Sequence, residues 1–128
     1  MIVGTGIDIV EIGRIESSLN RHGARFAEKI LAESELEELR LCSERIQNHF
    51  IAKRFAAKEA AAKALGSGFS GGITMRQIVV VHIESGKPEL KFSGAAAELC
   101  AKLNIINSHL SISDERSYAV ASVILESK

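Results

Sequence analysis

Residues 2–10, IVGTGIDIV, are rich in β-favouring Ile and Val, and they predict a β-strand. Alternation puts Val3, Thr5, Ile7 and Ile9 on one face and Ile2, Gly4, Gly6, Asp8 and Val10 on the other. Asp8 therefore stands on a face that two glycines clear of side chains, and glycine inside a strand marks the close approach of a backbone or a ligand. The period then changes from two to three or four. Ile12, Ile15 and Leu19 form the buried stripe of a helix whose other side carries Arg14, Ser18 and Arg21, with Arg25 joining them if the helical path continues past Gly23.

Ser34 to Glu37 spells S-x-x-E, a capping box for a short helix through Leu36, Leu39 and Leu41. The longest helical pattern runs from about Ser43 to Leu65, its apolar stripe passing through Ile46, Phe50, Ala57, Ala61 and Leu65, with Gly66 as C-terminal cap. A glycine-rich loop follows, GSGFSGG at 66–72, without the GK[ST] ending of a P-loop. VVVHIE at 79–84 and PELKF at 88–92 flank a turn and predict a hairpin. Ser93 is positioned to cap a helix over 94–103. HLSIS at 109–113 and YAVASVIL at 118–125 predict two strands joined by a tight turn, the first half-wet because His109, Ser111 and Ser113 share a face. Strands and helices alternate without regular βαβ spacing and without internal repeats, which predicts an α+β fold with an antiparallel sheet and one long helix, in a single domain over 1–128.

Composition narrows the function classes. Sixteen basic and sixteen acidic residues cancel, which argues against a nucleic-acid coat. No apolar run reaches the length of a membrane span, and MIVGTGIDIV lacks the basic start and long apolar core of an export signal, so a cytoplasmic protein is expected. Cys42 and Cys100 lie far apart in helical, apolar surroundings and read as buried reduced thiols rather than metal ligands or a disulfide.

Charge brings the chemistry into view. In RFAAKEAAAKALG, residues 54–66, six of thirteen residues are alanine and four are charged: Arg54, Lys58, Glu59 and Lys63. Glu59 and Lys63 are spaced as an ordinary i, i+4 ion pair. Asp8 changes that picture. Magnesium is held by one or two protein carboxylates, with waters and substrate phosphates completing the octahedron, so Asp8 and Glu59 from two elements suffice if they meet. Lys63, one turn beyond Glu59, would supply a compact positive charge to phosphate oxygens, and the small alanines would leave room for ligands. His109 on its wet strand face is the remaining candidate for acid–base work.

The residues GIDIVEIGR at 6–14 and RFAAKEAAAKALG at 54–66, with GKP at 86–88 and HLSIS at 109–113 in the same order, resemble the signatures of the holo-acyl-carrier-protein synthases, small bacterial 4′-phosphopantetheinyl transferases. The likeness spans essentially the whole chain. It implies transfer of the 4′-phosphopantetheine arm of coenzyme A to a serine of an apo acyl carrier protein in fatty acid biosynthesis, with release of adenosine 3′,5′-bisphosphate. It also implies Mg²⁺ on Asp8 and Glu59, a phosphate contact at Lys63, and coenzyme A along Gly66, Ser67 and Gly68. Arg54, Pro88 and His109 fall where further coenzyme contacts lie, and Lys58 is expected to pair with an acid. Arg14, Arg21 and Arg25 become a docking strip for the acidic carrier. Members form homotrimers with active sites between subunits, so His109 need not reach Asp8 in its own chain. The serine proton could pass to His109, to Glu59 or to a water held by Asp8. Asp114 departs from the family, which often has histidine there. Two rival readings are a carrier-binding module without catalysis and a different Mg²⁺-dependent enzyme acting on nucleotide diphosphates.

Overall fold

A computed structural model describes residues 1–128. In chain order the elements are β1 (Ile2–Glu11), α1 (Ile12–His22), α2 (Ala24–Ile30), α3 (Glu33–Arg40), α4 (Glu44–Leu65), a 3-10 turn (Met75–Gln77), β2 (Ile78–His82), β3 (Pro88–Phe92), α5 (Gly94–Lys102), β4 (Ile105–Asp114) and β5 (Tyr118–Ser127). The fold is α+β with antiparallel strands, as the pattern predicts. One sheet has the order β1-β5-β4, and β2 and β3 form a separate hairpin.

The long helix α4 lies on one face of the three-stranded sheet. Contact is close because neither surface has bulk: a Cβ added to Gly4 would sit 1.9 Å from the Ala64 carbonyl oxygen, and one added to Gly6 would sit 1.9 Å from that of Ala60. The glycines of β1 are thus cleared for a helix backbone, not for a ligand. The alanines of α4 have the same purpose. Ala56, Ala57, Ala60 and Ala61 are fully buried against Val123, Leu125 and Leu110, so they bring the helix onto the sheet rather than leaving space beside Glu59. The expected apolar stripe is accordingly too narrow. From Ile51 to Leu65 nearly the whole circumference is covered, whereas Ile46 is half exposed.

A second core joins Ile12, Ile15, Ala27, Ile30, Leu31 and Leu36 to the first half of α4. Its α3 differs from expectation. The N-cap is Ala32, two residues before the predicted Ser34, and Glu35, not Glu37, turns back to accept from the Ala32 N–H (2.9 Å). The helix ends at Arg40, which leaves Leu41 89% exposed. Glu35 is fully buried and takes three more donors: Lys58 Nζ at 2.6 Å, Arg54 at 3.2 Å and the Val80 N–H at 3.1 Å. Lys58, also fully buried, donates its second bond to the Met75 carbonyl (2.9 Å). Burial pushes the Lys58 ammonium below its ordinary value, against the opposing pull of Glu35. This cluster bolts α3, β2 and the 3-10 turn onto α4.

Gly23 interrupts the first helical path with φ +61°, so Arg25 lies on a separate helix from Arg14 and Arg21. Ser93 takes the N-cap position of α5 without a side-chain bond; the Gln77 amide oxygen accepts from Ala96 N–H instead. Cys42 and Cys100 are free but half-buried rather than enclosed, and burial raises the Cys100 thiol. No helix is long and apolar enough to cross a membrane.

Candidate active site

Because Ala60 and Ala64 rest on Gly6 and Gly4, the residues just before them, Glu59 and Lys63, emerge along the flank of β1. Asp8 points to the same side, on the α4 face of its strand. β1 is an edge strand, which leaves the Ile7 carbonyl able to accept from outside the sheet. Lys63 Nζ donates to that carbonyl at 2.9 Å and to the Asp8 carboxylate at 3.2 Å. Asp8 is largely covered and Lys63 half exposed. Glu59 holds its proton more tightly than an ordinary glutamate, first because burial penalises its charge, then because Asp8 repels it, with Lys63 opposing both. The three residues singled out from sequence therefore meet, although 50 residues of chain lie between Asp8 and Glu59.

Other candidates fall elsewhere. Arg54 is buried, bonded to Glu35, Glu38 (3.0 Å) and the Val80 carbonyl (3.0 Å), and stacked on Phe50 at 4.4 Å. Its guanidinium is committed to the interior of this chain. Gly66 closes α4 with φ +78°, Gly68 N–H donates to the Ala62 carbonyl, and Ser67 is half-buried between them. Pro88 opens β3 opposite His82, on the other sheet from Asp8. His109 is opposite Ile124, which is opposite Thr5, and that row lies on the sheet face turned away from α4. Within one chain His109 does not join Asp8; its ring bonds Glu126, whose carboxyl is lowered by that hydrogen bond. The same open face bears Ile7 and Ile9, each about two-thirds exposed, with Tyr118 and Ile124.

Arg21 and Arg25 come together despite the break at Gly23, lining an open hollow of about 380 Å³ with His22, Phe26 and Lys29. Arg14 is exposed nearer the start of α1. Asp114, the departure from the family pattern, pairs with His49 at 2.9 Å and lies 4.0 Å from Lys53, tying the β4–β5 turn to α4. Sequence reasoning missed Glu35, although a lysine facing the core of α4 requires a buried acid and SELEEL offered several.

Two carboxylates and one lysine form a site of net negative charge built from hard oxygen donors. No third His, Cys, Asp or Glu completes it, so a metal there must take its remaining ligands from water or substrate. That donor set fits Mg²⁺.

Residues 4–123 match the family described as the 4′-phosphopantetheinyl transferase superfamily. A relative from Vibrio cholerae, named holo-[acyl-carrier-protein] synthase, is 55% identical over 126 residues, 98% of both chains. The holo-[acyl-carrier-protein] synthase structure from Neisseria meningitidis superposes with a TM-score of 0.92 at 39% identity, covering 98% of this chain and 99% of that one. A Bacillus anthracis holo-(acyl-carrier-protein) synthase in complex with CoA (3′,5′-ADP) gives 0.85 at 41% identity, covering 100% and 99%. With the paired signatures meeting at one site and the match running nearly end to end, the chain belongs to the 4′-phosphopantetheinyl transferase superfamily.

Proposed function

We propose that this chain, as one domain, transfers the 4′-phosphopantetheine group of coenzyme A to a serine hydroxyl of an apo acyl carrier protein, releasing adenosine 3′,5′-bisphosphate. The observation that carries this reading is the convergence of Asp8, Glu59 and Lys63 at the edge of β1. A module that only bound carrier would gain nothing from two crowded carboxylates that repel each other.

Asp8 and Glu59 hold Mg²⁺ in this proposal, and the ion supplies positive charge that offsets the pyrophosphate and the departing bisphosphate. Lys63 uses two of its three N–H bonds on Ile7 and Asp8, which fixes the ammonium and leaves one donor for a phosphate oxygen. The serine proton has three candidate acceptors in this proposal, Glu59, His109 and a water beside Asp8. Gly66, Ser67 and Gly68 run along the coenzyme. Pro88 and His109 serve a site on a neighbouring copy, for which a homotrimer built on the open face of the β1-β5-β4 sheet is the arrangement we favour. Exposed Ile7, Ile9 and Ile124 support it, since an unpartnered apolar sheet face is a protein-interaction surface. Arg14, Arg21 and Arg25, with Lys29 beside them, dock the acidic carrier. The proposed setting is the cytoplasm, where Cys42 and Cys100 stay reduced.

The test is direct. Incubated with coenzyme A, Mg²⁺ and a competent apo carrier, the protein should yield a carrier heavier by one phosphopantetheine, and a chelator in excess should stop the gain. No mass change on the carrier refutes the proposal.

A further inference from the structure

The glycine-rich loop after α4 has four glycines at positive φ within seven residues: Gly66, Gly68, Gly71 and Gly72. A chain so permissive takes its course from its anchors. Its near end is fixed to α4 by the Gly66 and Gly68 N–H bonds. At its far end one side chain does the fastening. The Gln77 amide nitrogen donates to the Gly72 carbonyl at 3.1 Å, and its oxygen accepts from Thr74 N–H at 3.4 Å and from Ala96 N–H at 3.2 Å. A single planar amide thus spans the loop and the first turn of α5.

The base of this staple is itself held. The 3-10 turn that carries Gln77 is bonded through Met75 to buried Lys58, and the Gln77 carbonyl accepts from Ser93 N–H at 2.9 Å. Gly94 makes room for it, since a Cβ there would lie 3.0 Å from the Gln77 nitrogen. Between the two stapled walls is a hollow of about 370 Å³. Ser67, Ser70 and Ile73 line it from the loop, and Leu99 and Lys102 from α5. The width of that hollow, and the path of Ser67 and Gly68, follow from where Gln77 pins Gly72 against Ala96.

We propose that Gln77 is a positioning residue for coenzyme binding: it touches no reacting group but sets the conformation in which the glycine-rich loop receives coenzyme A. The inference rests on the transferase reading above. A residue of this kind affects how tightly the coenzyme is held and leaves the chemistry at Asp8, Glu59 and Lys63 alone.

Steady-state kinetics of Gln77→Leu and Gln77→Glu, with coenzyme A and apo carrier varied in turn, separate the possibilities. Leucine keeps the bulk and loses all three bonds. Glutamate keeps the oxygen for Thr74 and Ala96 but loses the donor to Gly72. We expect KM for coenzyme A to rise about tenfold in the leucine variant and less in the glutamate variant, with kcat and the carrier KM within about twofold of the parent. An unchanged coenzyme KM in either folded variant overturns the proposal, as does a fall in kcat with KM unchanged. If the leucine variant does not fold, the glutamate variant decides alone by the same criterion. A parent protein that modifies no carrier would instead overturn the transferase reading.

Discussion

Asp8 and Glu59 repel each other beside a single half-exposed lysine, an arrangement that lowers stability to make a site. The pH dependence follows in sign. Glu59 binds its proton more tightly in the folded chain than in the unfolded one. From about pH 4.5, the ordinary glutamate value, upward through its raised value, the folded state therefore holds more protons and loses stability as pH rises. Glu59→Gln carries no such loss. It should melt a few degrees above the parent near pH 7.5 in metal-free buffer, with the gap closing toward pH 4.5; thermal melts across that range check it, and a gap that does not change with pH contradicts it. The same variant, and Asp8→Asn, should lose about 10²-fold or more in kcat while keeping the parental circular dichroism spectrum. Both residues were legible in the sequence because strand alternation and helix spacing place them without tertiary information. Arg54 shows where that reasoning fails. It sits on α4 like a surface charge, and only the docking of α3 and β2 reveals that it points inward at Glu35, the same buried acid that meets the expectation of a partner for Lys58.

Among the elements, α4 decides most of the architecture, and two contacts fix its placement. One is ionic. Lys58→Met would leave Glu35 buried with its best donor gone, a change expected to cost about 3–5 kcal/mol and to lower Tm by about 10 °C or more, measurable by urea and thermal unfolding. The other is steric. Gly6→Ala would place a methyl group 1.9 Å from the Ala60 carbonyl oxygen, where only backbone movement can relieve the clash. It should cost about 1–3 kcal/mol and depress transfer activity along with stability, because the displaced turn of α4 carries Glu59. Sequence patterns found the elements well but misread reasons that lie between them. GTG in β1 reads equally as space for a ligand or for a helix, and S-x-x-E reads as a cap, whereas the acid in use is one residue inside it. Strand ends were also underestimated. β4 begins at Ile105 rather than His109 because pairing with β5 continues past the first clear alternation, across a bulge between Ile105 and Asn107.

For the whole molecule the unfinished feature is the outer sheet face. Ile7 and Ile9 project from it while their neighbours Asp8 and Val10 face α4, so a single strand serves the proposed metal-binding carboxylate on one side and the proposed subunit contact on the other. Ile7→Asp should therefore convert a trimer into monomers in sedimentation experiments and abolish transfer, with the secondary structure intact; a monomeric variant at parental activity would contradict the shared site. The exposed apolar row was visible as alternation in the sequence, but an alternating strand does not say whether its second face meets solvent or a partner.

Where α4 crosses β1, main chain lies on main chain, with no side chain between them to change rotamer. Such a contact cannot breathe by small side-chain rearrangements; it moves as a rigid joint or not at all. The spacing of the two carboxylates is thus set by the skeleton, while the loop from Gly66 to Thr74 is set by replaceable hydrogen bonds. Variation in substrate among proteins built this way can accumulate in the loop without disturbing the distance on which the proposed phosphoryl chemistry depends.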